Sequence, residues 1–236
     1  MLKAVFFDLY GTVAGFEPGR FEVQSMACAE FGITLTPEGI LRGYADADAY
    51  MTRENAIHHI GRRTPAERNA FFAEYQQRVI RGSGVDVSLE TADKIWRRIQ
   101  QIPYDLAPFP DAAPTLRTLR DRGLMTGLIS NMDMSGERLV AQLSLAGLFH
   151  VAVTSGDVGA AKPDPAIFRS ALSRAGVHAN EAVHVGDQLS SDVQGALAVG
   201  IRPVLLDRDR NHPYYRECPR IESLSELPAL LDDMGD

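Results

Sequence analysis

Short apolar runs and longer segments of helical periodicity alternate along most of the chain. The run Ala4–Phe7 is continuously apolar and ends at Asp8, a pattern typical of a strand that is buried on both faces. Further short apolar runs predict strands at Leu124–Ser130, Val151–Thr154, Ala182–Gly186 and Arg202–Leu206. Helical patterns predict helices at Asp111–Arg122, Ser135–Ala146, Pro165–Ala175 and Leu189–Val199. This alternation predicts βαβ units in a parallel sheet.

The segment between Arg20 and Gln101 differs, because only helical periodicity occurs there. Its apolar positions predict helices at Phe21–Phe31, Glu38–Tyr50, Pro65–Ile80 and Leu89–Ile99. We therefore expect an α/β protein whose doubly wound, Rossmann-like parallel sheet core comprises residues 1–16 and 103–236. Residues 17–102 would form an inserted helical cap domain.

A net charge of −7 narrows the range of partners. No basic field would attract nucleic acid or an anionic membrane, so an anionic small-molecule substrate must meet a local positive site. No apolar run approaches the roughly 18 residues of a spanning helix, and Met1–Thr12 lacks the long apolar stretch of a signal peptide. We expect a cytoplasmic monomer or homodimer without a membrane or nucleic-acid partner.

Polar side chains stand where the predicted strands end. Asp8 follows the first strand, Ser130-Asn131 the second, Lys162 the loop after the third, and Gly186-Asp187 the fourth. In an open parallel sheet, ligands bind in the crevice beyond the carboxyl ends of the strands. Each residue alone has an ordinary explanation, since Asp, Asn and Ser are common in turns and at helix starts. Their joint order at one sheet edge indicates a catalytic site.

Four motifs carry a family resemblance. They are Asp8-Leu9-Tyr10-Gly11-Thr12, Ser130, Lys162-Pro163-Asp164-Pro165, and Gly186-Asp187 with Asp192. In this order the sequence resembles the haloacid dehalogenase-like superfamily of hydrolases. The insertion after the first strand resembles the helical cap of the first type in that superfamily. The resemblance implies that the carboxylate of Asp8 is a nucleophile that becomes transiently esterified.

The same resemblance gives roles to other motif residues. Lys162 and Ser130 would bind the transferring group and orient the nucleophile, and Lys162 would offer a compact positive charge. Thr12 and Asn131 would join them as substrate contacts.

A Mg²⁺ cofactor is also implied by the resemblance. Mg²⁺ prefers oxygen ligands and typically binds one or two carboxylates together with substrate phosphate and water. The ligands would come from Asp8, the backbone carbonyl of Tyr10, Asp187 and Asp192.

Tyr10 departs from the phosphatase pattern of the superfamily, in which a second Asp stands two residues after the nucleophile. That Asp protonates the leaving oxygen and later activates water, whereas a phenol with an unperturbed pKa of about 10 is a poor base at neutral pH. The Asp-x-Tyr-Gly-Thr form instead resembles the 2-haloacid dehalogenases of the superfamily, whose halide leaving group needs no proton. Asp187 and Asp192 favour the phosphatase, because those dehalogenases do not need a metal.

Three hypotheses therefore stand. The favoured one is a Mg²⁺-dependent phosphatase of a small phosphorylated metabolite, acting through an aspartyl-phosphate. The alternative is a 2-haloacid dehalogenase that forms an aspartyl ester without metal, for which Arg42 of the predicted cap would grip the substrate. Alternatively, Arg42 is a surface arginine on a helix of the predicted cap. The third hypothesis is a catalytically weak binding module on the same fold.

Overall fold

The computed structural model describes residues 1–58, 60–103 and 105–234. The chain divides into two compact units, one formed by Met1–Gly15 with Leu106–Asp236 and the other by Phe16–Asp105. The sequence-based assignment of 1–16 with 103–236 to a core domain, and of 17–102 to a cap domain, stays a prediction. None of the helices in the described part of the chain is long and apolar enough to cross a membrane.

Strands and helices alternate except in one helical stretch. In chain order the elements are β1 (Ala4–Phe7), β2 (Ala14–Glu17), α1 (Arg20–Ala29), α2 (Pro37–Ile57), α3 (Pro65–Arg81), α4 (Leu89–Ile99), β3 (Asp105–Pro108), α5 (Ala112–Asp121), β4 (Met125–Ser130), α6 (Gly136–Gln142), β5 (Val151–Thr154), α7 (Ser155–Val158), α8 (Pro165–Ala175), β6 (Ala182–Gly186), α9 (Gln194–Ala198), β7 (Arg202–Leu206), β8 (Arg220–Ile221) and α10 (Leu227–Asp233). Helices α1–α4 form the inserted helical region after β2.

β1 lies inside a six-stranded sheet with the strand order β5-β4-β1-β6-β7-β8. All neighbouring strands of this sheet run parallel. Val5 and Phe7 pack into one hydrophobic cluster, and Ala4 and Phe6 pack into another. Since successive side chains of a strand point to opposite faces, both faces of β1 are buried, which explains its continuous apolar run. The predicted α/β fold class is confirmed.

The strand order reverses at β1, because β4 lies on one side of it and β6 on the other. Phe7, the last residue of β1, is in register with Leu128 of β4 and Val185 of β6. The loops that follow these strands leave the same edge of the sheet, where a reversal of strand order opens a crevice for ligands. The fold therefore creates a site beyond the ends of β1, β4 and β6.

The inserted helical unit has its own packing. α2 and α3 approach closely, since a Cβ atom on Gly43 would collide with the backbone oxygen of Val79. Phe72 of α3 stacks on Trp96 of α4 with ring centroids 4.4 Å apart. Thr64 begins α3 as an N-cap whose hydroxyl accepts a hydrogen bond from a backbone amide of the first turn. These contacts suit the purely helical periodicity of this segment.

Some elements differ from those that the sequence predicts. β3 lies in a stretch that reads as a proline-rich connection, and it pairs with β2 in a two-stranded sheet. Pairing with β2 defines this strand, and no apolar run in the sequence predicts it. The helix predicted over Ser135–Ala146 ends at Gln142, because Ser144 adopts the left-handed conformation with φ 56°.

Candidate active site

The structure places three predicted site residues at one edge of the sheet. Asp8 directly follows β1, Ser130 is the last residue of β4, and Asp187 directly follows β6. The backbone N–H of Asp8 donates to the carbonyl of Val185 at 2.9 Å, so hydrogen bonding between β1 and β6 extends to this residue. Asp8 and Ser130 are both buried.

Lys162 is the cation of the site. Its Nζ donates to Asp8 Oδ1 at 2.5 Å and to Asp192 Oδ1 at 2.6 Å, and all three side chains are buried. Burial by itself would lower the pKa of Lys162, but the two carboxylates raise it above its usual value. Burial raises the pKa of Asp8, although the Lys162 charge opposes this effect. The ammonium group therefore stays charged and holds both carboxylates.

Asn131 fixes the loop that carries Lys162. Its Nδ2 donates to the Lys162 carbonyl at 3.1 Å, and its Oδ1 accepts from the Lys162 N–H at 2.7 Å. Asp164 then caps α8, because its Oδ1 accepts from the backbone N–H of Ala166 at 2.8 Å. Both ends of the Asn131 amide thus contact the backbone of Lys162. Its role as a substrate contact stays a prediction.

Asp192 lies in a wide helical turn, Leu189–Val193, that leads into α9. The Gln188 carbonyl accepts from the Asp192 N–H at 2.9 Å and from the Val193 N–H at 3.2 Å. Such π-type turns accommodate an extra residue and are frequent at functional sites. The Asp192 side chain is almost completely buried, and its Oδ2 accepts from the Gln188 N–H at 3.1 Å. The turn therefore directs this carboxylate towards Lys162.

Two motif glycines allow the carboxylates to approach the backbone. Gly11 has φ +83°, and a Cβ atom there would collide with Oδ2 of Asp187. A Cβ atom on Gly186 would collide with the carboxyl group of Asp192. Side chains at either position would therefore displace an acidic residue of the site.

Thr12 and Arg208 complete the loop after β1. Thr12 is fully buried, and within the described residues its Oγ1 has no hydrogen-bond partner. Its carbonyl accepts from Arg208 Nη2 at 2.8 Å. Arg208 also pairs with both carboxylate oxygens of Asp111, at 2.8 and 2.9 Å. Arg208 is not among the site residues that the sequence predicts, because no motif marks an arginine that supports a loop so distant in sequence.

Three carboxylates form the acidic part of the site. One oxygen from each of Asp8, Asp187 and Asp192 lies within 4.8 Å of the other two. Burial, followed by the charges of Asp8 and Asp192, raises the pKa of Asp187 to about 7. Asp187 Oδ1 is buried and has no hydrogen-bond partner among the residues that the structure describes. This donor set fits a hard divalent cation such as Mg²⁺.

The raised pKa of Asp187 predicts that the effect of Mg²⁺ on the thermal stability of the protein depends on pH. A native pKa of about 7 against an ordinary value of 3.8 means that the metal-free protein loses stability as the pH rises through that interval. Above about pH 7 the charged carboxylate favours a cation, so Mg²⁺ should raise the Tm more at about pH 8 than at about pH 5.5.

Thermal melts with Mg²⁺ and with chelator at the two pH values measure this effect. Asp187→Asn should raise the Tm of the metal-free protein at the higher pH and remove most of the response to Mg²⁺. The exposed Asp121 of α5 provides the matched control, Asp121→Asn. An equal response to Mg²⁺ in the wild type and in Asp187→Asn would contradict the assignment of Asp187 to the metal.

The structure also locates Tyr10 and Arg42, two further residues that the sequence marks. The Tyr10 side chain is 39% exposed, so a phenol stands at the surface where phosphatases of the superfamily carry a carboxylate. Arg42 lies on α2, where its Nη2 donates to the carbonyl of Gly82 at 3.0 Å. The predicted roles of Tyr10 in catalysis and of Arg42 in substrate binding stay predictions.

Known proteins with related sequences include both phosphatases and dehalogenases. Over 137 residues the chain is 39% identical to a haloacid dehalogenase-like hydrolase domain-containing protein 3 of Danio rerio, and the match covers 57% of each protein. It is 28% identical to (S)-2-haloacid dehalogenase 4A of Burkholderia cepacia, over 98% of this chain and 95% of the relative. The chain thus spans little more than half the length of the first of these relatives.

A solved structure covers nearly the whole fold. The HAD phosphatase of Thermococcus onnurineus superimposes with a TM-score of 0.58 and 30% sequence identity, over 98% of each chain. The family model for haloacid dehalogenase-like hydrolases matches residues 2–200, which includes all four motifs and the inserted helices. The predicted family and its helical cap of the first type are confirmed. This chain therefore belongs to the haloacid dehalogenase-like hydrolases.

Proposed function

We propose that the protein is a Mg²⁺-dependent phosphatase of a small phosphorylated metabolite. The observation that carries this proposal is Asp187, a third carboxylate with a buried, unpartnered oxygen beside Asp8 and Asp192. One lysine cannot neutralise three close carboxylates, and burial, followed by the charges of Asp8 and Asp192, raises the pKa of Asp187. A divalent cation would balance the charge and create a place for an anionic phosphoryl group.

The proposed reaction proceeds in two covalent steps. The Asp8 carboxylate attacks phosphorus, the bond to the ester oxygen breaks, and that oxygen leaves with the bonding electrons and takes a proton from water. Water then attacks the phosphorus of the aspartyl-phosphate, which releases inorganic phosphate and restores the carboxylate. Lys162, 2.5 Å from Asp8 Oδ1, would orient the nucleophile and neutralise a phosphoryl oxygen.

The remaining groups of the site would hold the transferring group and the cation. Ser130 and the unpartnered hydroxyl of Thr12 are candidates to donate hydrogen bonds to phosphoryl oxygens. Asp8, Asp187, Asp192 and the backbone carbonyl of Tyr10 would hold Mg²⁺. When bound, the cation would supply positive charge to the phosphoryl oxygens.

Tyr10 supports a second candidate, a 2-haloacid dehalogenase. In that reaction the Asp8 carboxylate displaces halide from carbon, and water then hydrolyses the aspartyl ester. The Asp-x-Tyr-Gly-Thr form and the similarity to the Burkholderia cepacia dehalogenase favour this candidate. The acidic residue at position 187 favours the phosphatase. A weak binding module, the third hypothesis, is disfavoured by the charged contacts among Asp8, Lys162 and Asp192.

A substrate panel separates the two reactions. We expect Mg²⁺-dependent release of phosphate from an aryl phosphate, loss of this activity with excess chelator, and recovery when Mg²⁺ is restored. From short 2-haloacids we expect no halide release above background. Steady halide release over many turnovers in the presence of chelator would establish the dehalogenase instead.

A further inference from the structure

His184 is a fully buried polar residue in the middle of β6. Its Nε2 lies 3.0 Å from Asp192 Oδ1, the oxygen that also accepts from Lys162 Nζ. Its Nδ1 is buried and has no hydrogen-bond partner within the described residues. Because an ionised carboxylate only accepts hydrogen bonds, Nε2 carries a hydrogen and donates it to Asp192 Oδ1.

The His184 ring has a fixed orientation. Phe168 of α8 packs edge-on against it, with ring centroids 5.3 Å apart and planes at 87°. Phe168 is itself confined, because a Cβ atom on Gly195 would lie 2.7 Å from its Cε2. The packing against Phe168 therefore fixes the orientation of the His184 ring and of its Nε2–H group.

The contact with His184 bears on the position of Lys162. Asp192 Oδ1 receives one hydrogen bond from His184 on the strand and one from Lys162 in the loop before α8. The histidine restricts rotation of the carboxyl group, and the restrained carboxylate in turn limits where the ammonium group lies. Burial raises the pKa of Asp192, but the His184 hydrogen bond and the Lys162 charge outweigh this and lower it below its usual value.

We propose that His184 is a positioning residue, whose Nε2–H holds Asp192 Oδ1 so that Lys162 Nζ is directed at Asp8. Histidine acts here through two neighbours and does not touch the substrate. The effect on turnover rests on the proposed phosphatase function, whereas the effect on Lys162 does not. Partners that orient metal ligands, as His184 would orient Asp192, typically contribute roughly 10- to 100-fold in activity or metal affinity.

Two substitutions of His184 distinguish a positioning role from a role in packing alone. His184→Gln keeps an N–H donor at about the distance of Nε2, whereas His184→Leu keeps an apolar side chain and removes the donor. A residue that only fills space would tolerate Leu at least as well as Gln, since the His184 side chain is fully buried and packs against Phe168. Thermal melts would show whether both variants are folded, and only folded variants would be compared.

The Lys162 ammonium group provides a readout that needs no substrate. The chain has three lysines, and the other two, Lys3 and Lys94, have side chains that are 57% and 58% exposed. In ¹H–¹⁵N spectra of this chain, slow proton exchange should therefore identify the buried Lys162 signal. We expect His184→Leu to broaden or remove this signal and His184→Gln to retain it. Long-range ¹H–¹⁵N spectra should show the Nε2–H tautomer of His184 in the wild type.

Kinetics with an aryl phosphate and Mg²⁺ test the consequence for turnover. We expect His184→Leu to lower kcat by about 10- to 100-fold with little change in KM, and His184→Gln to recover most of that loss. An unchanged Lys162 signal in folded His184→Leu, or an Nδ1–H tautomer, would overturn the proposal. If the wild type hydrolyses no phosphate ester, the proposed function fails, and the two spectra still decide whether His184 positions Lys162.

Discussion

Replacing Asp8 by Asn should lower kcat for an aryl phosphate by about 10⁴-fold or more, the scale seen when a catalytic nucleophile is removed. The amide cannot attack phosphorus, and it no longer balances the charge of Lys162, 2.5 Å away. Steady-state kinetics with Mg²⁺ measure the loss. Thermal melts would check that the variant is folded. We expect the fold to survive, because Lys162 keeps its second partner, Asp192.

Asp121→Asn is the matched control, since Asp121 is an exposed carboxylate on the same unit. Its kcat should equal that of the wild type. Activity in folded Asp8→Asn within about 10-fold of the wild type would assign the chemistry to another nucleophile. The covalent route through Asp8 would then have to be abandoned.

Tyr10→Asp should raise kcat for an alkyl phosphate by about 10- to 10³-fold. A carboxylate at this position could protonate the leaving oxygen and later take a proton from the attacking water. We expect the rise in kcat to stay below the full range of general acid–base catalysis, because the groups around position 10 are arranged for a phenol and not for a carboxylate. An aryl phosphate should gain less, because its leaving group hardly needs a proton and only the second step, hydrolysis of the intermediate, would become faster.

The comparison requires kcat for one alkyl and one aryl ester in each protein. Tyr214→Asp supplies the control, since the Tyr214 side chain is 89% exposed and lies in the loop after β7. An equal loss on both esters in a folded Tyr10→Asp variant would rule out the idea that Tyr10 is simply a missing acid. It would point to chemistry that uses the tyrosine itself.

Much of the fold could be predicted from the sequence, because burial on both faces leaves a strong local pattern. Short, mostly apolar runs predict strands at Val151–Thr154, Ala182–Gly186 and Arg202–Leu206, and the structure has strands with these bounds. The acidic residues and Lys162 could be found because they follow strands whose carboxyl ends meet. Their motif spacing then identified the family.

Other features depend on contacts that no local pattern encodes. The wide turn Leu189–Val193 reads as ordinary helix, because one additional residue barely alters helical periodicity. Arg208 supports the carbonyl of Thr12 from a loop after β7, and its sequence context is that of a surface arginine. His184 did leave a signal, namely a histidine inside a strand expected to be buried on both faces. A buried polar group requires a partner, but the sequence does not say which.

Covalent labelling tests the aspartyl-phosphate most directly. Without a carboxylate at position 10 to activate water, the second step should be slow, so the intermediate should accumulate during turnover. The protein would be mixed with a radiolabelled aryl phosphate and Mg²⁺, quenched in acid and digested. The account predicts hydroxylamine-labile label on the peptide that contains Asp8, none in Asp8→Asn or with chelator, and less in Tyr10→Asp. Phosphate release by the wild type without label on that peptide, or with label on another residue, would contradict it.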